Sequence, residues 1–210
     1  MAPQNETSSV VSRLQKWART KPNDLALLFL ADGENESCRL NFGELDDRAQ
    51  RLSARIIRAG LTNQPILLMA QSGPEFILAI CGCLYAGAIA VPVPSLVRNR
   101  GQERIQSIVR DAGIAATMGS DKATRERLQE IVPDIVSVSI DHLEREPVAV
   151  TPYEPERPAL LQYTSGSTSA PKGVNVSHRN LVANIAMLTK AFGIHPVSYT
   201  HLTLPTNREV

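Results

Sequence analysis

Leu161-Gln162-Tyr163-Thr164-Ser165-Gly166-Ser167-Thr168-Ser169-Ala170-Pro171-Lys172-Gly173-Val174 is the most informative run of residues in this chain. An apolar stretch of strand length, Ala159 to Tyr163, leads into it, and a second short strand, Val174 to Val176, leads out. Five hydroxyl side chains, two glycines and one lysine fall within the ten residues from Thr164 to Gly173. Hydroxyls and successive backbone N–H groups can point at phosphate oxygens, and a nest of amides is itself an anion site. Gly166 lets backbone approach a ligand closely, and Lys172 supplies a mobile point charge suited to a polyphosphate. By composition alone the same residues read first as a Ser/Thr-rich surface turn. Their order narrows the reading. The run is not the GxxxxGK[ST] phosphate loop, because Gly166 stands six residues before Lys172 and a glycine, Gly173, follows the lysine. No GxGxxG occurs, so a dinucleotide-binding fold has no support.

Upstream of this loop, strand and helix signals alternate. Val10, Val11, Leu14, Trp17 and Ala18 recur at helical spacing, and Lys21-Pro22-Asn23-Asp24 ends that helix. Leu25 to Ala31 and a segment around Cys38 to Leu40 read as strands joined at Asp32-Gly33. Asn41 with Glu44 forms a capping-box pattern opening a helix that carries Leu45, Ala49, Leu52 and Ile56 and closes at Gly60. A buried strand (Ile66 to Ala70), a second capping-box pattern (Ser72, Glu75), an apolar helix ending at Gly87 and a short strand (Ala88 to Val93) follow. Then come a helix over Gln102 to Ala112, a strand near Ile114 to Met118, a helix over Asp121 to Val132 and a strand over Ile135 to Ile140. Leu143 to Pro158 reads as an exposed, proline-rich connector. This alternation predicts an α/β fold, with helices packed around a mainly parallel sheet.

The chain has 210 residues, 43% apolar and 20% charged, which suits one globular domain of about 200 residues or two small ones. Twenty-two basic against twenty-one acidic side chains leave +1, without the basic excess of a nucleic-acid binder. Three cysteines make no even disulfide framework, and Cys81 and Cys83 read as core on an apolar helix. Met1 to Val10 is polar, so no secretory signal is read, the sequons at Asn5, Asn35 and Asn175 carry no glycosylation, and the cytoplasm is expected. Phe76 to Val97 holds no charged residue and is long enough to cross a bilayer, but Gly82, Gly87, Pro92 and Pro94 divide it. A buried helix followed by a buried strand explains the same residues, so no membrane span is expected. Asp46-Asp47 reads as a solvated helix face. Ser177 reads as the N-cap of a helix bearing Leu181, Val182, Ile185 and Leu188, with Gly193 near its C′ position. His178, in that helix's first turn, reads as a structural or channel-side contact before a catalyst, and His142 and His195 as inert.

Tyr163-Thr164-Ser165-Gly166-Ser167-Thr168, followed by Pro171-Lys172-Gly173-Val174, resembles the phosphate-binding signature of the adenylate-forming (AMP-binding) superfamily. That superfamily includes acyl-CoA synthetases, peptide-synthetase adenylation domains, luciferases and fatty-acyl-AMP ligases. Val176-Ser177-His178-Arg179-Asn180-Leu181 follows as it does there. Asn41-Phe42-Gly43-Glu44-Leu45 and Leu84-Tyr85-Ala86-Gly87-Ala88-Ile89-Ala90-Val91-Pro92 resemble upstream segments of the same superfamily. Phe29-Leu30 with Asp32-Gly33-Glu34, and the lead-in Leu161 to Thr164, look most like fatty-acyl-AMP ligases. Ser169 stands where many relatives carry glycine.

The resemblance implies that ATP and a fatty acid, with Mg²⁺, give an acyl-adenylate and pyrophosphate. The acyl group then passes to the phosphopantetheine thiol of an acyl carrier protein, or to coenzyme A in an acyl-CoA synthetase. It assigns Thr164, Ser165, Gly166, Ser167, Thr168 and Lys172 to the β- and γ-phosphates. It places the adenine, ribose and metal sites and the catalytic lysine farther along a longer chain, so no catalytic or metal residue is expected here. An amino-acid adenylation domain and a non-catalytic phosphate-binding remnant stay open as alternatives. Residues 1–195 are thus expected to be the truncated N-terminal part of an adenylation domain, inactive alone. Pro196 to Thr206 breaks the preceding pattern, and one back-translation of it resembles a sequencing-library adapter read in frame; 196–210 is expected to be a non-native tail.

Overall fold

The computed structural model describes residues 9–30, 32–70, 73–94, 101–144, 151–164 and 171–193. Helix α1 (Val10–Thr20) begins at Ser9, whose hydroxyl accepts from Ser12 N at 2.9 Å. Strands β1 (Leu25–Leu30) and β2 (Glu36–Asn41) pair antiparallel in a sheet of their own. The predicted capping box then starts α2 (Phe42–Arg58): Asn41 Oδ1 accepts from Glu44 N at 2.8 Å, and Asn41 N donates back to Glu44 Oε2 at 2.9 Å.

The rest builds one six-stranded sheet. Its elements are β3 (Pro65–Ala70), α3 (Pro74–Ala86), β4 (Ile89–Pro94), α4 (Gln102–Ala112), β5 (Ala116–Gly119), α5 (Lys122–Ile131), β6 (Val136–Ser137), β7 (Pro158–Thr164), β8 (Lys172–Ser177) and α6 (His178–Ala191). The strand order is β6-β5-β3-β4-β7-β8, parallel throughout except for the antiparallel β7–β8 pair. The mainly parallel α/β arrangement is the expected one. Where both faces of the sheet are covered, as at β3 and β4, the strands are apolar on both sides. Ile66 and Leu68 of β3 pack toward the core shared with α2 and α3, through Leu52, Ile56 and Cys83. Leu67 and Met69, pointing the other way, meet Ile105, Ile108, Leu128 and Ile131 of α4 and α5.

The central strand carries two prolines, and its pairing shows it. On the β3 side β4 keeps register over six pairs, from Pro65↔Ile89 to Ala70↔Pro94. Toward β7 the register comes down to Ala90↔Leu160. Pro92 and Pro94 have no N–H to give to a ladder. The uncharged window from Phe76 resolves, over its described part, into the thirteen-residue α3 and the buried β4; no described helix is long and apolar enough to cross a membrane.

Several expectations need correction. Helix α3 starts at Pro74 with Gly73 as its N-cap and no side-chain cap, because proline, with its fixed φ and missing N–H, suits the first helical position; Ser72 lies outside the described residues. The strand expected over Ile135 to Ile140 shortens to Val136–Ser137 beside β5. The connector is exposed only in part over 151–157: Pro152, Glu154 and Glu156 face solvent, while Thr151, Tyr153, Pro155 and Arg157 are half-buried. Thr151 Oγ1 donates to Ala86 O at 2.9 Å and satisfies a carbonyl that the end of α3 leaves free. The side chain of Arg157 is 13% exposed and pairs with Glu154. Asp46 is no solvated residue: Tyr85, buried to 1% exposure, needs a partner for its hydroxyl and donates to Asp46 Oδ1 at 2.5 Å. Ser177 caps α6 as expected, and Gly193 sits past its end with φ 59°. His195 and the 196–210 tail lie outside the described residues.

Candidate functional site

The β7–β8 register runs Leu160↔Val176, Leu161↔Asn175, Gln162↔Val174, Tyr163↔Gly173 and Thr164↔Lys172. Thr164 and Lys172, eight positions apart in the chain, therefore face each other at the open end of a hairpin. Both side chains are exposed. Ser165, Gly166, Ser167 and Thr168 lie outside the described residues. Of the six residues assigned to phosphate, the structure thus brings Thr164 and Lys172 together.

The hairpin mouth lies at the carboxyl edge of the parallel strands. Leu160 is level with Ala90, so Thr164 comes level with Pro94, whose own partner is Ala70. In open α/β sheets that edge, where strand order turns back, is where ligands bind. Charge and donors suit an anion there: an ammonium from Lys172 and a hydroxyl from Thr164. Among the described residues no three His, Cys, Asp or Glu side chains cluster as a metal site. The described part of the loop therefore fits phosphate oxygens and offers Mg²⁺ no acidic cage.

Two residues of α4 that the sequence did not single out reach this mouth. Arg104 Nη2 donates to Thr164 O at 3.0 Å, and the Tyr163 hydroxyl donates to Asp111 Oδ2 at 2.5 Å. Burial first, then the bond to Asp111, pushes the Tyr163 phenol up to about 12, so it remains a donor at neutral pH. Across the ladder, a Cβ on Gly173 would stand 3.0 Å from Tyr163 Cζ and 3.1 Å from its hydroxyl. A glycine is what lets the ring lie on the neighbouring strand. Arg104 and Asp111 share one helical stripe at seven-residue spacing, yet alone they read as an ordinary solvent face.

His178 sits at the opposite, amino edge of the sheet. It is 5% exposed, its ring meets Tyr153 edge-on at 5.9 Å, and it lines a cavity of about 230 Å³ with Leu84, Gly87, Thr151 and Arg157. Burial and then the Arg157 charge lower its pKa, and its Nδ1 has no hydrogen-bond partner. It is remote from the hairpin mouth, as a structural contact would be. Burial also pushes Cys81 to about 11 and Cys83 to about 12, which keeps both as thiols in the core.

Comparison with known proteins gives the family this chain resembles. The family model "AMP-binding enzyme" matches residues 14–206. The chain is 31% identical over 204 residues to the medium-chain-fatty-acid–[acyl-carrier-protein] ligase JamA of Moorena producens (strain JHB), covering 90% of this chain and 34% of that protein. It is 31% identical over 196 residues to the long-chain-fatty-acid–AMP ligase FadD28 of Mycobacterium tuberculosis (strain ATCC 25618 / H37Rv), covering 88% and 34%. Among solved structures, a fatty acyl-adenylate ligase from L. pneumophila, in complex with acyl adenylate and pyrophosphate, superposes with a TM-score of 0.79 at 29% identity, covering 89% of this chain and 33% of that one. The chain spans about a third of the length of the curated relatives it matches.

Proposed function

The chain belongs to the AMP-binding enzyme family, and from that premise we propose that the protein carrying it activates a fatty acid with ATP. The fatty-acid carboxylate attacks the α-phosphorus, the bond to the bridging oxygen breaks, and pyrophosphate leaves with that electron pair. A thiol then attacks the acyl carbonyl and releases AMP. The thiol is the phosphopantetheine of an acyl carrier protein, as the name of the Moorena relative suggests for that enzyme; coenzyme A is the alternative acceptor. The reaction belongs to the cytoplasm, where ATP is abundant.

The chemistry is dominated by charge. A carboxylate must approach an anionic triphosphate, and the leaving pyrophosphate gathers more negative charge as the bond breaks. Positioning and neutralisation are what the protein supplies. Thr164, Ser165, Gly166, Ser167 and Thr168 offer hydroxyls and amides to the β- and γ-phosphates, and the Lys172 ammonium offsets the charge of the departing group. Mg²⁺, when bound, would screen the charge of the triphosphate. The adenine, ribose and metal sites and the catalytic lysine belong to the remaining two-thirds of the ligase, so the 210-residue chain alone forms no acyl-adenylate.

The pairing of Thr164 with Lys172 at the carboxyl edge of the sheet carries this reading. One ammonium against a phosphate oxygen at about 4 Å is worth about 1–4 kcal/mol near a protein surface. In the full-length enzyme, Lys172→Ala should therefore slow ATP–pyrophosphate exchange by fivefold or more, with a raised KM for ATP. An unchanged exchange rate refutes the assignment.

A further inference from the structure

We infer that helix α4 is the positioning element of this site: Arg104 and Asp111 hold the end of β7, and through the hairpin the start of β8, where Thr164 and Lys172 meet the nucleotide. The inference rests on the triphosphate reading of Thr164 and Lys172.

Strand β7 needs such a hold. Its registered pairing to the parallel sheet is Ala90↔Leu160, four residues before Thr164, and beyond that level β4 presents Pro92 and Pro94. Beyond it the far end of β7 pairs with β8 through Thr164↔Lys172 and packs Leu161 and Tyr163 on the cluster between the sheet and α4 and α5, and α4 adds two hydrogen bonds. Two bonds from α4 grip consecutive residues by different groups. Arg104 takes the main-chain carbonyl of Thr164, and Asp111 takes the side-chain hydroxyl of Tyr163. Successive strand residues point to opposite faces, so fixing a carbonyl at one and a side chain at the next prevents both sliding and rotation of the strand end. The contact then crosses the ladder. The Tyr163 ring lies against Gly173, whose chain predecessor is Lys172.

Neither residue is placed to do chemistry. Asp111 carries the same sign as a triphosphate, and its Oδ2 is occupied by the Tyr163 hydroxyl. Both α4 side chains are exposed, where a hydrogen bond adds little to global stability. What they add is geometry, and geometry has a kinetic signature distinct from folding.

The test is steady-state ATP–pyrophosphate exchange with the full-length ligase. Tyr163→Phe and Asp111→Ala should each raise the KM for ATP roughly three- to tenfold, the scale of one lost hydrogen bond. The KM for the fatty acid, kcat and the melting temperature should stay near wild type. The double variant should be no worse than either single one, and Asp111→Asn, which keeps an acceptor oxygen, should restore most of the affinity. Arg104→Ala provides an independent arm with the same expected rise in the KM for ATP. An unchanged KM for ATP in Tyr163→Phe and Arg104→Ala, alongside an impaired Lys172→Ala, overturns the role of α4 alone. Multiplicative losses in the double variant overturn it as well. An unimpaired Lys172→Ala overturns the triphosphate reading, and this inference with it.

Discussion

Leu181, Ile185, Leu188 and Phe192 recur along and just past α6 at the spacing of a single helical stripe, the pattern of a helix meant to lie on something apolar. Leu181 packs on the core, but Ile185 is 37%, Leu188 42% and Phe192 72% exposed. At about 200 Å² per fully exposed large side chain, the three leave roughly 300 Å² of apolar surface in water. Two copies meeting stripe to stripe would bury roughly 600 Å², a gross gain of about 15 kcal/mol at 25 cal/mol/Å². Association itself costs about 4–15 kcal/mol, and the area falls short of the roughly 1,200 Å² that specific interfaces begin with. The expected behaviour of the 210-residue chain is thus weak, concentration-dependent self-association without a defined stoichiometry. Leu188→Lys with Phe192→Lys should suppress it. Lysine is chosen because cations suit a helix C-terminus, so the helix itself is not penalised. Sedimentation velocity across a hundredfold range of concentration reads the outcome directly. In the full-length protein, where the proposed reading has further chain pack on this stripe, the same pair should instead lower the melting temperature. A wild-type chain that sediments as one 22.9 kDa species throughout, or a double variant that associates equally, refutes the reasoning.

Three further perturbations test the scaffold in the full-length protein. Arg55 Nη1 donates to Ser139 O at 2.7 Å and Asp141 O at 2.9 Å, and Nη2 to His142 O at 2.8 Å; Arg55→Ala should cost about 2–4 kcal/mol, seen as a lower urea midpoint. Gly87 has φ +65°, and a Cβ there would stand 2.7 Å from both Arg157 Nη1 and Thr151 Cγ2. Gly87→Ala should cost about 1–2 kcal/mol for the left-handed backbone and about 1–3 kcal/mol for the crowding, measured by the same midpoint. His178 is held neutral by burial, so its folded pKa lies below the ordinary 6.5. As pH falls below 6.5 the unfolded chain takes up this proton first, so the stability owed to neutral His178 is present above 6.5 and declines until the folded pKa is passed. His178→Gln should flatten that part of the stability–pH curve, and an unaltered slope would contradict the assignment.

How much of this was legible in the sequence depended on how local the cause was. The Asn41 and Ser177 caps, the glycine stop at Gly87 and the apolar run of β3 are set by residues within a few positions of one another, and each formed where the spacing put it. The hydroxyl-rich run stood out for the same reason. What failed was non-local. Asp46 looked solvated because its partner Tyr85 is 39 residues away, and the segment around Thr151 looked free because the carbonyl it satisfies is 65 residues back. Arg104 and Asp111 were invisible as site residues because each bond spans more than 50 positions. An exposed polar helix face carries no local mark of what it touches.

The prolines of β4 connect fold to site. On sequence they served to break an uncharged window too apolar for comfort. In the structure they stand at the level where the sheet gives up its registered ladder to β7. A strand paired along its whole length would take its position from the sheet alone. A strand registered to its parallel neighbour at Ala90↔Leu160 takes the place of its carboxyl end also from the antiparallel partner that carries Lys172 and from the two α4 side chains that hold Tyr163 and Thr164. Exposed hydrogen bonds of about 0.5–1.5 kcal/mol each cannot hold a fold together. They can set where a strand end rests, and under the proposed phosphate role a shift of about 1 Å there would separate a gripped phosphate from a missed one.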